Sequence, residues 1–167
     1  MLFFSHFNDY FMDAVHHVFH WEGGLVEDPA DPGGLTKYGI SKRSYPHLDI
    51  THLTKQQARQ IYYRDFWLKY NYDLLPPLIG KKMLSISVNT GPTAAHGMLQ
   101  RALKSHGIDV INNGTLNQDI IDAANSLDES ALLATLKSEA AAHYRILVAK
   151  KPVFRRFIRG WLNRAYG

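Results

Sequence analysis

The chain has 167 residues, of which 46% are hydrophobic and 20% charged, and its 19 Lys and Arg against 15 Asp and Glu give a formal charge of +4. That length can bury a substantial core, and the balance excludes an intrinsically disordered chain. With no cysteine, a disulfide framework and any cysteine-based nucleophile or metal site are excluded. A pI near 9.3 favours an anionic partner without choosing among nucleic acid, phospholipid and acidic wall polymer.

The first ten residues, Met1 to Tyr10, show no basic start, long apolar core or small-residue cleavage site, so they do not read as a secretory signal. No apolar run approaches the roughly 18 to 20 residues that would span a membrane. The expectation is a protein made in the cytoplasm that reaches any substrate beyond it only when another protein opens the way.

Phe7, Tyr10, Phe11, Ala14, Val15, Val18 and Phe19 recur at three and four residues, which predicts an amphipathic helix over about 8–21, with Asn8 or Ser5 as its cap. Gly23-Gly24 is its stop, which leaves Glu22 at the helix C-terminus. From 23 to 52 the helical period is replaced by turn chemistry, with room for a short hairpin or two. Long irregular segments in compact domains are often functional.

Thr54 and Gln57 have capping-box spacing and open a helix whose apolar face carries Ala58, Ile61, Tyr62 and Phe66. A helix over about 78–88 follows Pro76-Pro77 and is stopped before Pro92. Ala94 to Leu103 mark another, ending near Gly107. A turn at Asn112-Asn113-Gly114 precedes a short helix with Ile120, Ile121 and Ala124. Ser126 to Glu129 reads as a second capping box for a long helix through Leu147, and Pro152 precedes a last helix with Phe154, Phe157, Ile158 and Trp161.

A carboxyl at a helix C-terminus faces the negative end of the dipole, and Phe19 and Trp21 are placed to dry it; both effects favour the protonated form that a glycosidase uses on a leaving oxygen. A frayed, solvated glutamate is the alternative. Asp31 and Thr36, in the glycine-rich loop that follows, are candidates for a second carboxylate and a hydroxyl that hold an attacking water. Asp28 reads rather as a turn cap before proline, a role also open to Asp31. Tyr38, Trp67 and Asn89 are candidate groove residues, with core packing the better reading of Trp67.

His16 and His20 lie four apart, but no third ligand accompanies them. Arg155, Arg156, Arg159 and Arg164 form a basic run on the last helix, read either as a solvated face or as a contact for wall polymer or an anionic outer-membrane surface. Lys55, Arg59 and Arg64 give a weaker case for nucleic-acid binding, and no nucleic-acid motif is present.

The stretch from His20 to Ile40, with Glu22-Gly23-Gly24, Asp28-Pro29, Asp31-Pro32-Gly33-Gly34 and Thr36-Lys37-Tyr38-Gly39-Ile40 in order, closely resembles the opening motif of glycoside hydrolase family 108. These are N-acetylmuramidases found among phage endolysins and bacterial secretion-activator proteins. The resemblance continues through Phe66-Trp67, Val88-Asn89 and Leu99-Gln100-Arg101-Ala102 to Gly160-Trp161-Leu162-Asn163-Arg164.

It implies a mainly α, lysozyme-like fold with a small irregular or β segment near 23–52. It also implies one compact domain over 1–167, with the catalytic motif in 1–80 and, in 81–167, a helical half resembling a peptidoglycan-binding region. Glu22 inherits the role of catalytic acid, with Asp31 and Thr36 as partners by a looser parallel with phage-type lysozymes, and Tyr38 and Asn89 gain weight as substrate-binding residues. The expected partner is the peptidoglycan glycan strand, handled as a monomer with no nucleic acid, cofactor or metal. Two departures stand out. Leu84-Ser85 replaces the Phe-Asp common in relatives, and Asn113 to Gln118 only partly matches the Asp-Gly-x-x-Gly-Pro pattern of the peptidoglycan-binding region. A non-catalytic wall-binding or secretion-accessory protein, and a lytic transglycosylase, remain alternatives.

Overall fold

The computed structural model describes residues 7–27 and 34–167. Helix α1 runs Asp9–Trp21 and is capped by Asn8, whose side chain accepts from the Phe11 amide at 2.7 Å. Three short antiparallel strands follow: β1 (Val26–Glu27), β2 (Leu35–Lys37) and β3 (Ile40–Ser41), with Val26 opposite Thr36 and Thr36 opposite Ser41. The β2–β3 turn is made by Tyr38 (φ 53°) and Gly39 (φ 78°), the paired positive φ angles of a tight two-residue hairpin.

Helix α2 (Lys55–Tyr62) opens on the reciprocal Thr54–Gln57 capping box and continues as a π-helical stretch, Tyr63–Leu68. After a short 3-10 turn at Tyr72–Leu74 comes α3 (Pro77–Thr90), with Ile79, Gly80 and every residue from Lys82 to Ser87 buried. A helix buried on most of its circumference belongs at the centre of a bundle. Accordingly α3 packs against α1, α4 (Pro92–Ser105) and α6 (Glu129–Lys150). Gly80 lets it approach the 67–72 segment, because a β-carbon there would lie 2.6 Å from the Tyr72 carbonyl oxygen.

Helix α5 (Gln118–Ser126) precedes α6, and a 3-10 segment, Pro152–Phe157, leads into α7 (Ile158–Tyr166). The protein is thus a mainly helical bundle carrying a small three-stranded sheet. One buried hydrophobic cluster holds side chains from both halves, among them Phe11, Val15, Trp67, Met83, Leu99, Leu136 and Tyr144.

Two sequence expectations are corrected. Ser126 is not the cap of α6: it ends α5, donating to the Ala123 carbonyl at 2.7 Å, and Asp128 caps α6 by accepting from the Ala131 amide at 2.9 Å. A carboxylate at the positive end of a helix outcompetes a hydroxyl two residues earlier. Phe154 and Phe157 lie in the 3-10 segment, not in the last α-helix. The Asn113-Gly114 turn is held from the core, where Gln100 accepts from the Gly114 amide and donates to Asn113 and the Thr115 carbonyl.

Candidate active site

Glu22 is the residue on which α1 ends. Its amide still bonds to the Val18 carbonyl at 2.9 Å, while its own backbone is already extended. The side chain leaves the helix end toward the β2–β3 hairpin. Gly39 makes that approach possible, since a β-carbon there would collide with the Tyr62 hydroxyl and lie 2.9 Å from Glu22 Cγ. Tyr62 is buried and donates to the Tyr38 carbonyl at 2.6 Å; burial first, and Glu22 second, push its phenol well above the ordinary range, so it stays a donor.

From the far end of the sequence, Arg164 on α7 donates through Nη2 to Glu22 Oε1 at 2.6 Å. The guanidinium is 7% exposed and the carboxyl 20%, so the pair lies at the floor of a cleft, not on the surface. Glu22 Oε2 makes no hydrogen bond among the described residues. The surroundings thus differ from the purely apolar drying expected from Phe19 and Trp21: a cation holds one carboxyl oxygen.

The cleft above this pair, about 360 Å³, is lined by Trp21, Glu22, Asn89, Arg156, Phe157, Gly160, Trp161 and Arg164. Its aromatic wall is a stack: Phe157 on Trp161 (5.6 Å, 27°) and Trp161 on Tyr144 (5.3 Å, 26°). The Tyr144 hydroxyl donates to Asn89 Oδ1 at 2.7 Å, which leaves the Asn89 amide N–H groups to donate to a ligand. Flat aromatic faces beside an amide donor suit a sugar ring bearing an acetamido group.

Two further contacts brace the site. Trp21 donates its indole N–H to His17 Nε2 at 3.3 Å, and burial with nearby Lys81 and Lys82 lowers the His17 pKa to about 4. Lys82, buried in α3, donates to the Arg164 carbonyl at 2.6 Å and the Gly167 carbonyl at 3.2 Å; desolvation brings its pKa down to about 7. Lys82 therefore ties the backbone of α7 to α3 while the Arg164 side chain reaches Glu22.

Of the residues singled out from sequence, Glu22 and Asn89 meet in this cleft. Thr36 lies on β2, its hydroxyl donating to the Gly34 carbonyl at 3.3 Å, and Tyr38 packs its ring edge-on against Phe19 at the hairpin turn. Neither lines the Glu22 cleft. Asp31 and Asp28 fall outside the described residues. Trp67 is 1% exposed and belongs to the core. Ser85, the departure from relatives, is 2% exposed, its hydroxyl without a partner among the described residues.

Arg164, Trp161 and Phe157 escaped the sequence reading, which placed Arg164 with the other arginines on one basic face. The signal was present: Phe157, Gly160, Trp161 and Arg164 follow the i, i+3, i+4, i+7 pattern, so Arg164 lies on the apolar stripe of its helix and not opposite it.

A helical bundle presenting a held carboxyl at the floor of an aromatic-walled cleft sets an acid group beside flat apolar faces, the two things that cleavage of a glycosidic bond uses. Residues 15–91 match the family model described as "Glycosyl hydrolase 108", and residues 94–166 match "Predicted Peptidoglycan domain". Residues 15–91 thus carry the glycosyl hydrolase 108 match, and the cleft is built from both matched segments. Among solved structures it is similar to SagA of Brucella abortus, with a TM-score of 0.76 and 28% identity over 93% of this chain and 89% of that one. No curated protein sequence matches it.

Proposed function

We propose that this protein is an N-acetylmuramidase that hydrolyses the β-1,4 bond between N-acetylmuramic acid and N-acetylglucosamine in peptidoglycan. The observation that carries this reading is the state of Glu22: Oε1 is fixed by Arg164 while Oε2 has no hydrogen-bond partner among the described residues, beside Asn89 and the Trp161 face. With Oε1 held, a proton on Oε2 is aimed at the cleft. Glu22 gives that proton to the glycosidic oxygen as the C1–O bond breaks, and a water oxygen bonds to C1 and loses its own proton to a base. Asp31 is the candidate for that base.

Asn89 and Trp161 supply binding to the N-acetyl sugar, and the basic surface favours the anionic wall. No helix among the described residues is long and apolar enough to cross a membrane. In our reading the protein serves as an endolysin, made in the cytoplasm and released onto the wall for host lysis. The exposed Val153, Arg155 and Arg159 are then suited to touch an anionic outer-membrane surface.

Digestion of purified Gram-negative peptidoglycan by the wild type and by Glu22→Gln, with mass spectrometry of the fragments, tests the chemistry. Reducing muramic-acid ends from the wild type alone are expected. Anhydro ends would identify a lytic transglycosylase, and intact sacculi with both proteins would leave a binding or accessory role.

A further inference from the structure

A separate cavity of about 180 Å³ shares no lining residue with the Glu22 cleft. Its polar lining is His17 of α1, Lys81 and Lys82 of α3 and Lys137 of α6, with Leu78 and Leu133 as apolar walls. Sequence spacing brings these side chains together. Leu78, Lys81 and Lys82 stand at i, i+3 and i+4 on one face of α3, and Leu133 and Lys137 at i and i+4 on one face of α6. Because α3 packs against both α1 and α6, the two faces and His17 enclose one space.

Three ammonium groups therefore converge where the described residues bring one bonded carboxylate, Asp13, which Lys81 reaches at 2.7 Å and which is 64% exposed. Lys82 donates to the Arg164 and Gly167 carbonyls, and Lys137 donates to the Tyr166 carbonyl at 2.9 Å. An ammonium can donate three times, so each of these lysines keeps at least one N–H beyond those bonds. His17 accepts the Trp21 indole N–H on Nε2, which puts its own proton on Nδ1, with no acceptor bonded there among the described residues.

Capping the end of α7 explains only part of this. It accounts for the carbonyl bonds of Lys82 and Lys137, but not for Lys81, nor for open space where packed side chains would close off a helix end. The charges are also gathered against their own repulsion. Burial first, then Lys137 and Arg164, bring Lys82 down to about 7; burial, then Lys81 and Lys82, depress His17. Like charges repel more strongly in a half-buried cavity than on a surface, and an anion between them removes that repulsion.

The lining also selects among anions. Lysines act as point charges that suit a tetrahedral group approached from several sides, and no arginine fork among the described lining residues matches a planar carboxylate. The volume lies below the roughly 300–1,000 Å³ of sites for drug-sized ligands, so the anion is compact. We propose that this cavity is a binding site for a compact tetrahedral oxyanion of the phosphate class, held by Lys81, Lys82 and Lys137 with His17 Nδ1–H as a further donor. The proposal stands apart from the muramidase reading, since it requires neither glycan nor hydrolysis.

Titration of the intact, nitrogen-labelled protein with inorganic phosphate tests it, followed by amide NMR at pH 6, where Lys82 is charged, with chloride holding the ionic strength constant. We expect saturable shifts centred on Leu78, Lys82, Leu133 and Gly167. Lys81→Gln and Lys137→Gln, both of partly exposed side chains, should keep dispersed spectra and each weaken binding at least about fivefold. Lys104→Gln, exposed on α4 and outside the cavity, should leave the affinity unchanged. Glycerol 1-phosphate titrated in parallel separates the sources: tighter binding than phosphate marks an esterified group, and weaker binding a free ion. Shifts that do not saturate, that centre elsewhere or that chloride reproduces would overturn the site, as would equal affinities for the wild type and both cavity variants.

Discussion

Arg164 and Glu22 are separated by 142 positions in sequence and by 2.6 Å in space. The guanidinium lines the cleft and acts on Glu22, fixing one oxygen so that the other is presented in one orientation. Arg164→Met keeps much of the volume and leaves the Lys82 bond to the residue's carbonyl intact, so the helix should stay in place. A misplaced acid costs about 100-fold in rate for an error on the order of 1 Å. We therefore expect kcat on peptidoglycan to fall by about that factor with KM little changed and the melting temperature nearly preserved. A loss of activity that merely tracks a lowered melting temperature would assign Arg164 to stability instead.

At the scale of elements, α1 ends on the proposed acid and carries its own pH sensitivity. His17 accepts from the Trp21 indole only while its Nε2 is unprotonated. Its folded pKa of about 4 lies below the ordinary 6.5, so between those values the unfolded chain binds a proton that the folded chain does not. Its contribution to stability is whole above pH 6.5 and is lost as the pH falls toward 4. His17→Gln keeps an acceptor and removes the titration, so melting curves from pH 7 to 4 should show a smaller fall for the variant than for the wild type. Equal falls would show that other groups govern acid sensitivity.

The elements also show what could be read without coordinates. Asn8, Thr54 with Gln57, and Gly23 announce helix ends locally, because a cap bonds within three residues of itself. Glu22 was legible for the same reason, as the last residue before a glycine pair. The short sheet was visible only as a place for turns: its strands are two or three residues long, too short to show a period of two. Arg164 was misassigned because its partner lies 142 residues away, and Tyr45 with Asp65 went unremarked because their pairing spans 20 residues and a change of element.

Over the whole molecule, the two family segments share one site and one core. Lys82 and Asn89 from the first segment bond to Arg164 and Tyr144 of the second, and α3 packs on α4 and α6 across the division. Cutting the chain between them would strand Lys82, 3% exposed, without its carbonyl acceptors and open the buried face of α3 to water. We expect fragments 1–91 and 92–167, expressed separately, to lack the dispersed amide NMR signals of a folded protein, and the intact chain to unfold in one transition with coincident near- and far-ultraviolet circular dichroism. A folded 92–167 fragment that binds peptidoglycan alone would show the second segment to be an independent module.

The reach of Arg164 back to Glu22 also sets a clock on synthesis. A ribosome adding roughly 5–20 residues per second completes Glu22 on the order of 10 s before Arg164. Throughout that interval the nascent chain holds a carboxyl with no guanidinium to orient it and a cleft with no aromatic wall. Abandoned or truncated translation products would carry the Glu22 motif intact and yet lack the residue that holds its carboxyl, so the proposed activity would accumulate only as finished molecules.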